Sequence, residues 1–274
     1  RPRPRIAVMP VERLVSRHRV LTWTAGAGGP PLLLLHGFLG RAESWSAVVQ
    51  RFGADLDVAA VDLPGHGPIT PVGAALRFED VADTLADVAR RLDTRPWHVS
   101  GYSLGARLAL AMSVRAPELC RGATLVGVNP GLADPEEREE RAAGDERWAA
   151  LLRDRGLAAF LEAWEAQPLF ASQARLAEEV RAAQRALRRT HDANRLALSL
   201  RATGLATMPD YWPALARIPF PVRLVAGALD GRFVEIARRA ASRLPRGTLA
   251  VVPGSGHNVP LEDPRAMASL LERG

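Results

Sequence analysis

Val99-Ser100-Gly101-Tyr102-Ser103-Leu104-Gly105-Ala106-Arg107-Leu108 decides the reading of this chain. A short β-leaning run at 97–100 meets Gly-x-Ser-x-Gly, and an Ala/Leu-rich segment at 108–114 with helical composition follows. Strand, sharp turn and helix in that order put the serine in strained backbone geometry, and a glycine two residues to either side leaves room for the neighbouring strand and helix. Ser103 is therefore expected to project its hydroxyl from the top of a sheet. The following N–H, that of Leu104, lies at a helix start, where unpaired donors and the positive dipole end can meet a developing oxyanion.

Working outward, the same motif of strand followed by turn recurs. Upstream, Leu32-Leu33-Leu34-Leu35 reads as a strand buried on both faces and runs into His36-Gly37-Phe38-Leu39-Gly40. A second apolar strand at 58–61 ends in Asp62-Leu63-Pro64-Gly65-His66-Gly67. Two β-patterned pieces at 11–15 and 18–23 precede them, and the segment 45–52 and the stretch 78–92, with apolar Val81, Leu85, Val88 and Leu92, have helical spacing. Downstream, strands are expected at 123–128, 222–226 and 248–252, with a helical piece at 234–244. Alternation of strand and helix implies α/β architecture, a mostly parallel sheet with flanking helices and right-handed crossovers. From 133 to 213 charged residues alternate with Ala, Leu and Trp at helical intervals and no strand is expected, so this segment reads as a helical cap inserted into a core of 1–132 and 214–274.

Composition narrows the function. A chain of 274 residues can bury one substantial core. Its net charge of +6 could suggest nucleic acid, but all 36 basic residues are Arg, scattered among acids rather than gathered in a block. No nucleic-acid partner is expected, and Arg suits two-point recognition of a small acidic substrate instead. One cysteine, Cys120, excludes an intrachain disulfide or a multi-thiolate metal site, and neither a HExxH motif, a CxxC motif nor a phosphate loop is present, so no metal and no cofactor is expected. No run reaches membrane-span length and no signal peptide is visible behind Arg1-Pro2-Arg3-Pro4-Arg5, which gives a cytoplasmic protein as the expectation.

Three residues stand in comparable places after strands: Ser103, Asp230 in Gly227-Ala228-Leu229-Asp230, and His257 in Gly254-Ser255-Gly256-His257. A serine hydroxyl ionises far above neutrality, so it needs a positioned imidazole, and the imidazole needs a carboxylate to fix its tautomer and steady its positive charge. Asp62, Glu262 and Asp263 are competing acids; His36 and His66 are competing bases, in tight turns where an imidazole commonly bonds to backbone.

HGFLG, DLPGHG, GYSLGxR, LD and GHNxxLExP, together with the chain order Ser, Asp, His, resemble the α/β-hydrolase fold across the whole chain. More narrowly, GYSLGxR combined with Asn129-Pro130-Gly131-Leu132, Arg141, Asp145, Phe160, Trp164 and Gln167-Pro168-Leu169-Phe170 is similar to the 2-succinyl-6-hydroxy-2,4-cyclohexadiene-1-carboxylate synthases of the menaquinone pathway. That resemblance implies elimination of pyruvate from 2-succinyl-5-enolpyruvyl-6-hydroxy-3-cyclohexene-1-carboxylate, with Ser103, His257 and Asp230 as the base system. It further implies oxyanion donors at the N–H groups of Phe38 and Leu104, and substrate contacts from Tyr102, Arg107, Arg141 and Trp164. Ala106 stands where many relatives have Gly, and Val259-Pro260 where they often have a second histidine. A serine carboxylesterase or carbon–carbon bond hydrolase on the same triad, and a non-catalytic scaffold binding a small acid, are the alternatives.

Overall fold

The leucine run organises the centre of the molecule. Successive strand residues point to opposite faces, and both faces here are covered. Leu33 and Leu35 enter one buried cluster with Ala59, Val61, Val99 and Leu125, while Leu32 and Leu34 enter a second with Val58, Ala60, Val126 and Val225. Each such leucine contributes roughly 1.5–3 kcal/mol of burial free energy.

The computed structural model describes residues 9–24, 28–52, 57–67, 72–73 and 75–272. The arginine-rich N-terminus and most of the Gly-rich turn at 25–29 lie outside them. The described residues form eight strands: β1 (Val11–Val15), β2 (His18–Thr24), β3 (Pro31–Leu35), β4 (Asp57–Val61), β5 (Trp97–Tyr102), β6 (Cys120–Val126), β7 (Val222–Gly227) and β8 (Gly247–Val252). They make one sheet in the order β1-β2-β4-β3-β5-β6-β7-β8. β2 runs antiparallel to β1 and β4, and every other pairing is parallel.

Between β3 and β4 lies α1 (Ser46–Val49), preceded by a 3₁₀ turn at Ala42–Trp45, so the helix expected at 45–52 starts from an earlier 3₁₀ turn and ends at Val49. The turn begins there because Asp62 Oδ1 accepts the Ala42 N–H at 2.7 Å. α2 (Phe78–Leu92) spans the expected range and buries Phe78, Val81, Leu85 and Val88 against α3 (Leu104–Arg115) and the sheet. α3 starts four residues earlier than composition suggests, because the turn at Ser103 feeds directly into it.

Between β6 and β7 the chain is helical: α4 (Pro135–Glu165), a 3₁₀ segment at Pro168–Arg175, α5 (Glu178–Arg188) and α6 (Ala193–Thr203). Asp134 caps α4 by accepting the Glu136 N–H, and Gly156, with φ 75° and ψ 178°, breaks that helix in two. Ala149, Leu152, Phe160, Leu161, Leu196, Ala197 and Leu200 form a small core of this insertion, into which Leu39 of the sheet domain is inserted. The chain closes with α7 (Gly231–Ala241), α8 (Val259–Glu262) and α9 (Pro264–Glu272). α7 begins three residues before the expected helix because the Asp230 carboxylate caps it through the Phe233 N–H.

Candidate active site

The serine turn is strained as its sequence requires. Ser103 has φ 51° and ψ −107°, a conformation that a non-glycine residue holds only when its surroundings impose it. Those surroundings include the Ser103 N–H donating to Val126 O at 2.8 Å and the Arg107 N–H donating to Ser103 O at 3.0 Å. A Cβ on Gly101 would lie 2.2 Å from the carbonyl of Gly105, and one on Gly105 would lie 2.1 Å from Leu35 O. No side chain fits at either position.

The loops after β7 and β8 deliver the partners. His257 Nε2 lies 3.2 Å from Ser103 Oγ, and His257 Nδ1 lies 2.7 Å from Asp230 Oδ2. Bonding of Nδ1–H to a carboxylate leaves Nε2 as the acceptor for a hydroxyl proton. The ring is walled by Phe233, Tyr102 and Phe170, with centroids 4.4, 5.4 and 6.5 Å away. The competing acids have other work. Asp62 is buried and holds the Ala42 N–H and Arg19, and Glu262 accepts the N–H groups of Gly256 and Asn258 at 2.7 and 3.1 Å, bracing the backbone on both sides of His257.

A cavity of about 610 Å³ opens above the serine, lined by Ser103, Tyr102, Phe38, Trp164, Phe170 and Arg188 among others. Burial raises the Tyr102 phenol, which stays protonated. Trp164 belongs to an aromatic chain through Trp148, Phe160 and Phe170, stacking on Phe160 at 5.3 Å.

Arg107 and Arg141 do not line this cavity. Arg107 donates to Thr203 O at 2.8 Å, and Arg141 pairs with Asp145 at 2.8 Å. Burial, and then the like charge of Arg141, pull the Arg107 guanidinium down to about 9, so it remains a cation at neutral pH. Sequence reasoning missed Arg188. It is held by Glu165 at 2.7 Å and is, among the described residues, the one cation in the cavity lining, but one Arg among 36 in a strongly amphipathic helix carries no distinguishing signal. Among the described residues no cluster of His, Cys, Asp and Glu has the makings of a metal site.

An eight-stranded, mostly parallel sheet with a strained serine at a strand-to-helix turn, and a histidine and an aspartate on the two last strand exits, defines an α/β-hydrolase. The chain belongs to the alpha/beta hydrolase family, which it matches over residues 32–270. Within it, the chain belongs with the 2-succinyl-6-hydroxy-2,4-cyclohexadiene-1-carboxylate synthases. It is 35% identical over 247 residues to that enzyme of Salmonella agona (strain SL483), covering 89% of this chain and 93% of the relative. It is likewise 35% identical over 244 residues to that of Enterobacter sp. (strain 638), covering 89% and 91%. Among solved structures it is similar to MenH from S. aureus, with a TM-score of 0.89, 27% identity and coverage of 93% and 96%. A thermophilic esterase from Thermogutta terrifontis, at 24% identity and a TM-score of 0.79 over 97% of both chains, shares the fold.

Proposed function

We propose that the protein eliminates pyruvate from 2-succinyl-5-enolpyruvyl-6-hydroxy-3-cyclohexene-1-carboxylate, giving 2-succinyl-6-hydroxy-2,4-cyclohexadiene-1-carboxylate for menaquinone biosynthesis. The observation that carries this is the Ser103–His257–Asp230 relay, with bonds of 3.2 and 2.7 Å, beneath a cavity walled by aromatic side chains together with Arg188, Glu43 and Glu179, in a chain 35% identical to such synthases.

The ring carbon bearing the succinyl group is α to a ketone, so its proton is the acidic one. Ser103, giving its own proton to His257, takes that proton. The released electron pair forms a new ring double bond, the existing one shifts by one position, and the carbon–oxygen bond to the enolpyruvyl group breaks. The enolate of pyruvate leaves, takes the imidazolium proton and tautomerises to pyruvate, which returns His257 to its neutral form. Charge develops on the succinyl ketone oxygen, which the N–H groups of Phe38 and Leu104 stabilise. Asp230 steadies the imidazolium that forms in between. No acyl-serine is required.

The substrate is a polycarboxylate, and the helical insertion acts as a cap that recognises it. Arg188 supplies a guanidinium in the lining. Arg107, near a helix start and close enough to Arg141 for their charges to repel, is bonded to Thr203 O and lies outside the lining, so carboxylate recognition in the cavity falls to Arg188. Tyr102 and Trp164 wall the ring by packing.

Pyruvate release from the enolpyruvyl substrate, measured beside hydrolysis of a short p-nitrophenyl ester, tests the reading. Pyruvate release without a trapped acyl-enzyme is expected. Ester turnover with no pyruvate would replace it by a carboxylesterase, which the same triad and the esterase-like fold also support.

A further inference from the structure

Three histidines lie outside the relay yet surround one loop. His36, His66 and His191 pack edge to face, with centroids of 5.0 Å between the first pair and 5.5 Å between the second. All three are buried. Each makes one bond to the segment 36–40 and one to the segment 63–67. His36 Nδ1–H donates to Gly37 O at 2.8 Å, while Nε2 accepts the Leu63 N–H at 2.9 Å. His66 Nε2 accepts the Leu39 N–H at 3.2 Å, while Nδ1–H donates to Pro64 O at 3.1 Å. His191, arriving from the helical insertion, donates Nε2–H to Leu39 O at 3.1 Å and accepts the Gly67 N–H at Nδ1 at 3.2 Å.

These bonds fall on three consecutive peptide units. A trans peptide is planar, with its C=O and N–H pointing in opposite directions. Fixing Gly37 O therefore aims the Phe38 N–H, and Gly40 N–H holds the same oxygen at 2.9 Å. The next unit is fixed through the Leu39 N–H and the third through Leu39 O. Leu39 needs this restraint, because it sits at φ 64° as a non-glycine residue, with its side chain buried in the core of the insertion.

We infer that His36, His66 and His191 form a bracket of positioning residues which aims the Phe38 N–H at the reacting oxygen, and that His191 makes that aim depend on the seating of the helical insertion. The bracket requires every ring neutral, with one donor and one acceptor nitrogen. Burial provides this, holding His36 at about 3, His191 at about 4 and His66 well below its ordinary value.

The inference rests on the proposed oxyanion role of Phe38, so its test is read independently of the natural substrate. Phosphonylation of Ser103 by a fluorophosphonate needs the oxyanion donors but no elimination. His191→Ala should slow that labelling by roughly 10- to 100-fold, and should lower kcat for pyruvate release with KM changed by less than about twofold. His191→Gln keeps an N–H near the Nε2 position and should recover most of the rate. His191→Asn, keeping only an acceptor near the Nδ1 position, should not. Equal labelling of all three variants at the wild-type rate, with only Tm lowered, would make His191 a structural tie and overturn the bracket. Recovery by Asn and not Gln would overturn it too, since Gly67 and not Leu39 would then be the contact that matters. Normal labelling behaviour without any pyruvate release would sink the synthase reading and leave the bracket standing. A wild-type protein that the probe cannot label would overturn both.

Discussion

The floor and the roof of the cavity are made in different ways. The floor, Ser103 with Tyr102 and Phe38, stands on the ends of β3 and β5, central strands bonded on both sides and flanked by the two large buried clusters. The roof, Trp164, Phe170 and Arg188, hangs from helices whose own core is the small cluster around Phe160. Backbone ladders fix the strands beneath Ser103 and Tyr102, so their geometry tolerates sequence change, and only the Phe38 loop depends on side-chain bonds. Side-chain packing fixes the roof, so its geometry follows the residues present. That contrast assigns reaction chemistry to the floor and choice of substrate to the roof.

The contrast breaks first at the floor. Ser103→Ala should fold and lose roughly four or more orders of magnitude in kcat for pyruvate release, and His257→Ala should lose nearly as much. The double variant should lose little more, since the two act as one unit; multiplying losses would mean they act separately. Asp230→Asn should lose a comparable factor through the wrong imidazole tautomer.

Next in size is the roof's core. Phe160 is fully buried, and Phe160→Ala should cost about 3–5 kcal/mol of stability, read from denaturant unfolding. If the insertion melts apart from the sheet, unfolding will be biphasic, with Ser103 still labelled by a small fluorophosphonate at a reduced rate. A single transition would join the two regions into one cooperative unit.

Acid should expose the seam between them. Burial lowers His191 to about 4 from an unfolded value near 6.5, so below that value the unfolded chain binds the proton first. Stability is therefore full above about pH 6.5 and falls as pH drops towards 4, by on the order of 3 kcal/mol from this residue. Tm measured across that range in wild type and His191→Gln should differ in slope, the variant being flatter; parallel curves would contradict it.

The smallest of the activity effects concerns charge. Arg188→Ala should lower kcat/KM for the polycarboxylate roughly 10- to 150-fold, as for a lost charge-assisted pair, with a neutral ester little affected, whereas Arg107→Ala and Arg141→Ala, outside the lining, should lower it less. Lysine should restore only part, having no planar fork. Arg141, with 42% of its side chain exposed and already bound to Asp145, is where the smallest loss is expected. Equal loss on both substrates would place the arginines in folding and not recognition.

The parts of the molecule that were legible beforehand share a cause. Apolar runs between turn clusters mark strands because a strand buried on both faces admits nothing else, and residues following those runs must emerge at one sheet edge. That is how Ser103, Asp230 and His257 could be grouped although 154 residues separate the first from the last. His36 and His66 were legible as backbone-bonding residues from their turns alone. His191 was not, because its partner Leu39 is 152 residues away and nothing local to His191 reports the contact. Arg188 was hidden for the same reason: which face of α5 turns inward depends on the insertion's packing. The 3₁₀ turn at Ala42–Trp45 was hidden too, because a distant carboxylate, Asp62, seats its first residue.

The backbone at Ser103 has a last consequence, in evolution rather than in catalysis. A non-glycine residue at φ 51° costs on the order of 1–3 kcal/mol, a sizeable share of the roughly 5–15 kcal/mol by which a domain of ordinary stability stays folded. Ser103→Gly should thus raise Tm while abolishing turnover, as a calorimetric scan of the inactive protein would reveal. Selection for stability alone would erase the serine. Its presence at a position where glycine would be the more comfortable residue is a continuing sign that the chain has been kept for what it does.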